Sequence, residues 1–430
     1  MATMVKNHDE QDLMERARRV LPAGGFGNFA TDIIIAEGHG GRVWDISGNE
    51  YVDFLLGSGP MFIGHAHPEV TEAVLAQVPR GTTFFANNEA GIRLAEAICD
   101  AVPSADQVRF VSSGSEADMY AMRLARAHRG RDKILKFEGG YHGMSDHALM
   151  SLAPKHLANF PRPVPDSAGI PKHVQDDVLV APFNDIETAR RMIAEYADDL
   201  GGVIVEPFQR LIPPRTGFLE ALREETTRHG IPLIFDEVVT GFRFAYGGAQ
   251  AHYGVTPDLC TMGKIIGGGF PLAAIAGREE IMAHFDRDAV GDEGFTFQIG
   301  TLSGNPVAAV AGLATLDVLA RPGAYETVYD TGRAIMAALE TQFSRVGIPA
   351  QVVGQPTLFD VVFADTPVED YRGVMRGDAA RLKRFNTVLR EHGILKPDSK
   401  FYVSLAHDAA DVRQTIEAIT VAADTLAAEA

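Results

Sequence analysis

The chain contains 430 residues, of which 46% are hydrophobic and 22% charged, a composition that is ordinary for a soluble globular protein with a large core. Its net charge of −18 argues against general affinity for nucleic acids or anionic membranes. Two distant cysteines, Cys99 and Cys260, and the lack of a secretion signal or a transmembrane-length apolar run favour a cytoplasmic protein without disulfides or a cysteine metal site.

The N-terminal segment predicts a short helix and then a small antiparallel sheet. The helix, around residues 12–20, is expected to stop at the Pro-Ala-Gly-Gly sequence of residues 22–25. Residues 33–37, 42–46 and 51–54 alternate apolar and polar side chains and are separated by glycine-containing turns. This pattern favours antiparallel strands.

From Pro68 onward, helical segments alternate with short apolar strands. The helices are expected near residues 70–77, 92–101 and 117–128, and the strands near residues 108–111, 133–137, 202–206, 232–236 and 259–262. Such alternation predicts an α/β fold with a mostly parallel sheet covered by helices. A helix is expected at 307–319, and the final third reads as an α+β domain, with helices near 325–346, 378–392 and 409–428 and strands near 359–363 and 402–404.

An acid and a lysine follow two neighbouring strands of this sheet. Asp236 ends the apolar run of residues 232–235, and Lys264 lies in a glycine-rich turn after the next strand. Ligands of open α/β sheets bind at such carboxyl ends. A lysine whose pKa falls to roughly 7 to 8 can hold an aldehyde cofactor as a Schiff base. A carboxylate can keep the cofactor's ring nitrogen protonated, so the pair predicts pyridoxal 5′-phosphate (PLP).

Each of these residues alone has a more ordinary explanation. An aspartate at a strand end is usually a cap or turn residue, and a lysine before glycines is usually a solvated loop charge. The combination of the two at adjoining strand ends favours the cofactor.

Two further segments suit the phosphate of such a cofactor. Ser113, Gly114 and Ser115 lie between a strand and a helix, where backbone N–H groups at a helix start bind anions. Thr301 lies in a turn before another helix and suits a second phosphate contact. Each segment alone is also an ordinary helix cap.

Three more side chains follow strands of the sheet. Tyr141 can stack on a flat ring, and His142 can act as an acid or base, although a tyrosine-histidine pair is more often a packing or turn feature. Glu206 ends a strand and is expected to hold the site wall by pairing with Arg243. We favour that structural role for Glu206 over acid catalysis.

With these residues assembled, the chain resembles the class III, fold-type I PLP aminotransferases over residues 13–423, and within them the glutamate-1-semialdehyde 2,1-aminomutase-like subgroup. The resemblance lies in ordered segments at residues 59–61, 64–68, 113–117, 136–143, 236–243, 263–269 and 300–306. It implies a large PLP-binding domain at residues 61–310 and a small domain formed by residues 1–60 and 311–430.

The resemblance also implies roles for individual residues. Lys264 carries PLP as a Schiff base, and Asp236 pairs with the pyridine nitrogen. Tyr141 stacks on one face of the ring and Val238 packs on the other. Gly114 and Ser115 hold the phosphate. Thr301 reaches the phosphate of the neighbouring subunit, which implies a homodimer with a shared active site.

Departures from the subgroup bear on the reaction. The aminomutase has a substrate-binding arginine shortly after its N-terminal Gly-Gly, whereas residues 24–31 contain none. The gating glutamate before the C-terminal Ser-x-Ala-His is also missing from residues 397–407. We therefore expect transamination between an amine or an ω- or β-amino acid and a keto or aldehyde acceptor. Arg210, Lys396 and Lys400 are candidates for carboxylate recognition, although solvated surface charges are more common.

Two alternatives remain open from the sequence. An isomerase, either an aminomutase or an amino-acid racemase, uses the same cofactor parts. A cofactor-binding protein that has lost its activity also retains them. A nicotinamide dehydrogenase is disfavoured because no Gly-x-Gly-x-x-Gly motif follows an early strand.

Overall fold

The computed structural model describes residues 6–29 and 32–429. The chain divides into two compact units. The small unit comprises the residues up to Pro68, Gly323–Pro367 and the residues from Arg376 onward, and the large unit comprises Glu69–Pro322 and Val368–Met375. The domain boundaries expected from the sequence, at 60/61 and 310/311, remain predictions.

Strands and helices alternate through much of the described chain. The strands are β1 (Ile35–His39), β2 (Arg42–Asp45), β3 (Glu50–Asp53), β4 (Gln107–Val111), β5 (Lys133–Phe137), β6 (Val178–Ala181), β7 (Leu200–Val205), β8 (Leu233–Glu237), β9 (Leu259–Met262), β10 (Ala273–Gly277), β11 (Gln351–Gln355), β12 (Leu358–Val362), β13 (Ile394–Leu395) and β14 (Phe401–Tyr402). The helices are α1 (His8–Val20), α2 (Pro68–Gln77), α3 (Glu89–Ala101), α4 (Gly114–Arg129), α5 (Ile186–Glu195), α6 (Phe218–His229), α7 (Gly248–Tyr253), α8 (Glu279–Met282), α9 (Arg287–Gly294), α10 (Pro306–Leu319), α11 (Ala324–Arg345), α12 (Tyr371–Met375), α13 (Ala379–Glu391) and α14 (Ala409–Ala428).

A seven-stranded sheet forms the centre of the large unit, with strand order β4-β10-β9-β8-β7-β5-β6. Neighbouring strands from β6 to β9 pair in parallel, and β10 runs antiparallel to both β9 and β4. All residues of β7 and β8 are buried, which explains why these strands read as continuous apolar runs in the sequence. The predicted α/β fold with a mostly parallel sheet is confirmed.

The small unit contains two small sheets. In the first, β1, β2 and β3 form the antiparallel meander that the sequence predicted, and β13 adds to β3 in parallel. This pairing joins the N-terminal and C-terminal parts of the chain in one unit. The second sheet has the order β11-β12-β14.

The topology collects several loops at one edge of the large sheet. Because β5, β7, β8 and β9 run in the same direction, the segments that follow them leave from the same edge. Helix α4 begins at that edge too, since β4 is antiparallel to β10 and therefore parallel to the other strands. Across the described residues, no single helix is long and apolar enough to cross a membrane; α10 and α11 meet that length and composition only as a bent pair.

Candidate active site

The carboxylate of Asp236 is buried and held in a fixed orientation at the end of β8. The residue is 5% exposed. Oδ2 lies 2.8 Å from Nδ1 of His142, and Oδ1 accepts a hydrogen bond of 3.1 Å from the backbone N–H of Val238. Both oxygens therefore have partners that fix the plane of the carboxylate.

A second buried acid, Asp118 of α4, lies beside Asp236. The Thr261 hydroxyl donates to Asp118 Oδ1 at 2.6 Å and lies 3.5 Å from Asp236 Oδ1. Burial, and next the charge of Asp236, raise the pKa of Asp118 well above its usual value. The raised pKa disfavours the charged form of Asp118 in this position. The polar atoms of Asp118, His142 and Asp236 lie within 4.8 Å of one another, a spacing that a metal ion can also use.

Asp118 was missed by the sequence analysis. The available signal was its position in α4, where it lies on a face shared with the buried residues Ala117, Ala121 and Met122. An acid on an apolar helix face needs a buried polar partner.

Lys264 lies at the carboxyl end of the strand next to Asp236. In the register of β8 and β9, Asp236 pairs with Thr261 and Glu237 with Met262, and Lys264 follows two residues later. It begins a short 3₁₀ turn, Lys264–Gly267, with a φ of +50°. A left-handed conformation costs a lysine about 1 kcal/mol, and such strain is concentrated at functional sites.

The start of α4 provides an anion cradle. The Ser113 side chain accepts from the N–H of Glu116, and the Glu116 carboxylate accepts from the N–H groups of Ser112 and Ser113. Among the described residues, no hydrogen bond engages the N–H groups of Gly114 and Ser115, which leaves both for a phosphate.

Close packing around the cradle requires glycine at two positions. A Cβ at Gly114 would lie 2.8 Å from Cγ1 of Val238. A Cβ at Gly143, whose φ is +81°, would lie 2.5 Å from Cα of Ser115. Val238 and the segment after β5 are thereby held against the start of α4.

Tyr141 and Glu206 are joined through the backbone of the segment that follows β5. The N–H of Tyr141 donates to Glu206 Oε2 at 2.9 Å, and the Tyr141 ring is 36% exposed. Burial raises the pKa of Glu206, and the guanidinium of Arg210 opposes that rise most strongly. The Arg243 Nε donates to the carbonyl of Val239 at 3.1 Å, and its expected pairing with Glu206 remains a prediction.

Two predicted site residues differ in burial. His142 is fully buried, and its Nε2 has no hydrogen-bond partner among the described residues. Thr301 lies in an exposed turn before α10, where the backbone N–H of Ser303 donates to the carbonyl of Gly300 at 3.2 Å. The roles assigned to both residues remain predictions.

These features fit PLP at this edge of the sheet. The N–H groups of Gly114 and Ser115 would hold its phosphate, Asp236 would face its ring nitrogen, and Lys264 would bind its aldehyde carbon. PLP supplies an electron sink for a carbon attached to a substrate amine.

Comparison with known proteins places the chain in one family. The family model described as aminotransferase class-III matches residues 26–422. The chain is 43% identical over 392 residues to glutamate-1-semialdehyde 2,1-aminomutase 2 of Brevibacillus brevis, which covers 90% of each protein.

Solved structures agree with that family. An ω-transaminase from Sphaerobacter thermophilus matches with a TM-score of 0.91 and 37% identity over 97% of both chains. A transaminase with PLP bound matches with a TM-score of 0.90 and 31% identity over 99% of both chains. The chain therefore belongs to the class-III aminotransferases and is a PLP-dependent enzyme of fold type I.

Proposed function

We propose that this enzyme moves an amino group between an amine or an ω- or β-amino acid donor and a keto or aldehyde acceptor. The observation that carries the proposal is the oriented carboxylate of Asp236 next to the strand that leads into Lys264. Together they supply a charge for the cofactor's ring nitrogen and an amine for its aldehyde. The 37% identity to an ω-transaminase supports the donor class.

In this proposal the residues of the chain divide the work between binding and proton transfer. Nζ of Lys264 would hold PLP covalently and, once displaced by the donor amine, would carry the proton that leaves the donor carbon. Asp236 would hold the positive charge on the ring nitrogen, and Tyr141 and Val238 would enclose the ring.

An aminomutase is the second candidate. The 43% identity to a protein of that name favours it. An aminomutase shifts the amino group within one molecule. Against it, residues 24–31 contain no arginine for the substrate carboxylate, and residues 397–407 lack the gating glutamate that the resemblance led us to expect. We therefore prefer transfer between two molecules.

One experiment separates the two candidates. The holoenzyme is incubated with a single amino substrate and no carbonyl acceptor, and product is counted per active site. We expect one equivalent of product, and turnover only after pyruvate or 2-oxoglutarate is added. Continuous turnover without an acceptor would identify an isomerase. A cofactor-binding protein without activity would give no change in the visible absorbance of bound PLP when the donor is added.

The proposal includes a homodimer with a shared site. Thr301 lies on an exposed turn flanked by the apolar side chains of Phe297 and Ile299, which are 63% and 60% exposed. Exposed apolar residues of this size mark interaction surfaces. Sedimentation of the protein tests for the dimer. If this turn completes the site of the neighbouring subunit, we expect Thr301→Ala to bind PLP more weakly than wild type.

A further inference from the structure

Arg210 occupies a strained turn at the rim of the candidate site. It follows β7 in a tight turn, where Gln209 and Ile212 exchange backbone hydrogen bonds of 3.0 and 2.9 Å. Its φ is +62°, a conformation that glycine adopts without strain. Arg210 and Lys264 are the two positively charged residues with positive φ in the described chain. Strained backbone of this kind is concentrated at functional sites.

The guanidinium of Arg210 faces the residues of the site. Its Nε donates to the carbonyl of Gly139 at 3.1 Å, and its Cζ lies 5.2 Å from the ring centroid of Tyr141. Within the described residues, no carboxylate forms a salt bridge with it. The remaining guanidinium N–H groups can therefore bind an anion in the planar, two-point geometry that suits a carboxylate.

The other two candidates, Lys396 and Lys400, and the buried Lys136 have different surroundings. Lys396 is 1% exposed and lies 2.8 Å from Asp360, so its charge is already paired. Lys400 Nζ lies 5.8 Å from the ring centroid of Tyr402. Lys136 is buried and donates to the carbonyls of Ala148 and Met150, both at 2.7 Å.

We infer that Arg210 binds the carboxylate of the amino donor, so that the preferred donor is an amino acid rather than a simple amine. The inference rests on the proposed function, because the donor must reach the ring that Tyr141 is expected to cover. The donor is then an amine that also carries a carboxylate, and the acid group lies beyond Tyr141.

The test uses two donors that differ only in the carboxylate. In 3-amino-3-phenylpropanoate and 1-phenylethylamine, the amine-bearing carbon carries the same phenyl group, and a carboxylate replaces one hydrogen. We expect wild type to prefer the acid and Arg210→Met to lower the ratio of kcat/KM values, acid over amine, by about 10- to 100-fold. Arg210→Lys keeps the charge and should retain part of the preference. An unchanged ratio in Arg210→Met would overturn the inference.

A binding measurement separates this inference from the proposed function. The unreactive acid 3-phenylpropanoate and its amide are titrated calorimetrically into each holoenzyme. We expect the acid to bind Arg210→Met about 10-fold or more weakly than wild type, with little change for the amide. This result would support Arg210 even if wild type showed no transamination. Loss of the visible absorbance of bound PLP in Arg210→Met would assign the arginine to cofactor binding and overturn the inference.

Discussion

Buried charges in the two units have opposite surroundings. In the small unit, Lys396 and Asp360 are each 1% exposed and lie 2.8 Å apart, and Lys396 also donates to Asn386 Oδ1. In the large unit, the acids Asp118, Asp236 and Glu206 are buried near one another, and no lysine or arginine salt bridge neutralises them within the described residues. The first arrangement pairs two charges directly, whereas in the second burial raises the pKa of Asp118 and Glu206, and a bound cation would favour their charged forms.

Glu237, next to Asp236 in β8, shows that burial alone does not make an acid functional. Its carboxylate accepts hydrogen bonds from the N–H groups of Ala249 and Gln250, from Gln250 Nε2 and from the Thr240 hydroxyl. These donors tie the start of α7 to the end of β8. Glu237 therefore belongs with Lys396 and Asp360 as a structural charge.

The largest effect is expected at Lys264. Lys264→Ala removes both the covalent attachment and the proposed proton carrier, so we expect kcat/KM to fall by at least about 10⁴-fold. Lys264→Arg keeps the positive charge but cannot condense with an aldehyde, and it should be equally inactive. Steady-state rates and mass spectrometry of borohydride-treated protein measure the two effects. Cofactor attached to another lysine in wild type would disprove this assignment.

Asp236→Asn tests whether the carboxylate of Asp236 drives the chemistry. The amide keeps the shape but cannot hold a proton on the ring nitrogen, so we expect a loss of about 10³-fold in kcat with bound PLP retained. Glu237→Gln is the matched control on the same strand and should change thermal stability more than kcat. Equal losses of kcat in the two variants would contradict the distinction between the acids.

Lys396→Met breaks the structural pair of the small unit. The unpaired charge of Asp360 would be left in an apolar environment, so we expect the free energy of unfolding to fall by about 3 to 5 kcal/mol. Denaturant unfolding measures the loss. The double variant Lys396→Met/Asp360→Leu should recover most of it, because neither charge remains. If folded Lys396→Met instead lost carboxylate binding specifically, Lys396 would be assigned to substrate binding.

Much of the large sheet could be predicted from the sequence because its central strands are buried on both faces. Short, largely apolar runs indicated β4, β5, β7, β8 and β9. The sequence analysis missed β6 and β10. Strand β10 is the small-residue sequence Ala-Ala-Ile-Ala-Gly, which gives little periodic signal. β10 runs antiparallel to β9, the strand before it, and to β4, which lies far away along the chain.

Site residues could be predicted where a chemically suitable side chain lies at the end of a strand. Asp236 and Lys264 follow buried strands directly, so their positions could be inferred from parallel topology. Asp118 and Arg210 could not be placed in this way. Asp118 reaches Asp236 because α4 packs against β8 and β9, and the contacts of Arg210 depend on a turn with positive φ. The partners of both residues are set by tertiary packing between segments far apart in the sequence.

The smallest effect is expected at Asp118, the buried acid beside Asp236, where Asp118→Asn should change the free energy of unfolding. Because the pKa of Asp118 is raised in the folded protein, the native state keeps a proton that the unfolded chain releases near pH 4. Stability contributed by this group is therefore lost as pH rises from the unfolded pKa toward the folded pKa. The neutral amide, whose oxygen can still accept from Thr261, avoids this loss.

We expect Asp118→Asn to match wild type near pH 4 and to become more stable by on the order of 1 kcal/mol as the pH rises to 7. Chemical denaturation at several pH values measures the difference, and Asp118→Ala controls for the loss of the Thr261 hydrogen bond. In the Asp236→Asn background the gain should shrink, because part of the raised pKa of Asp118 comes from the charge of Asp236. A gain of the same size in both backgrounds would mean that burial alone keeps the proton on Asp118, and that the two acids do not act as one electrostatic unit.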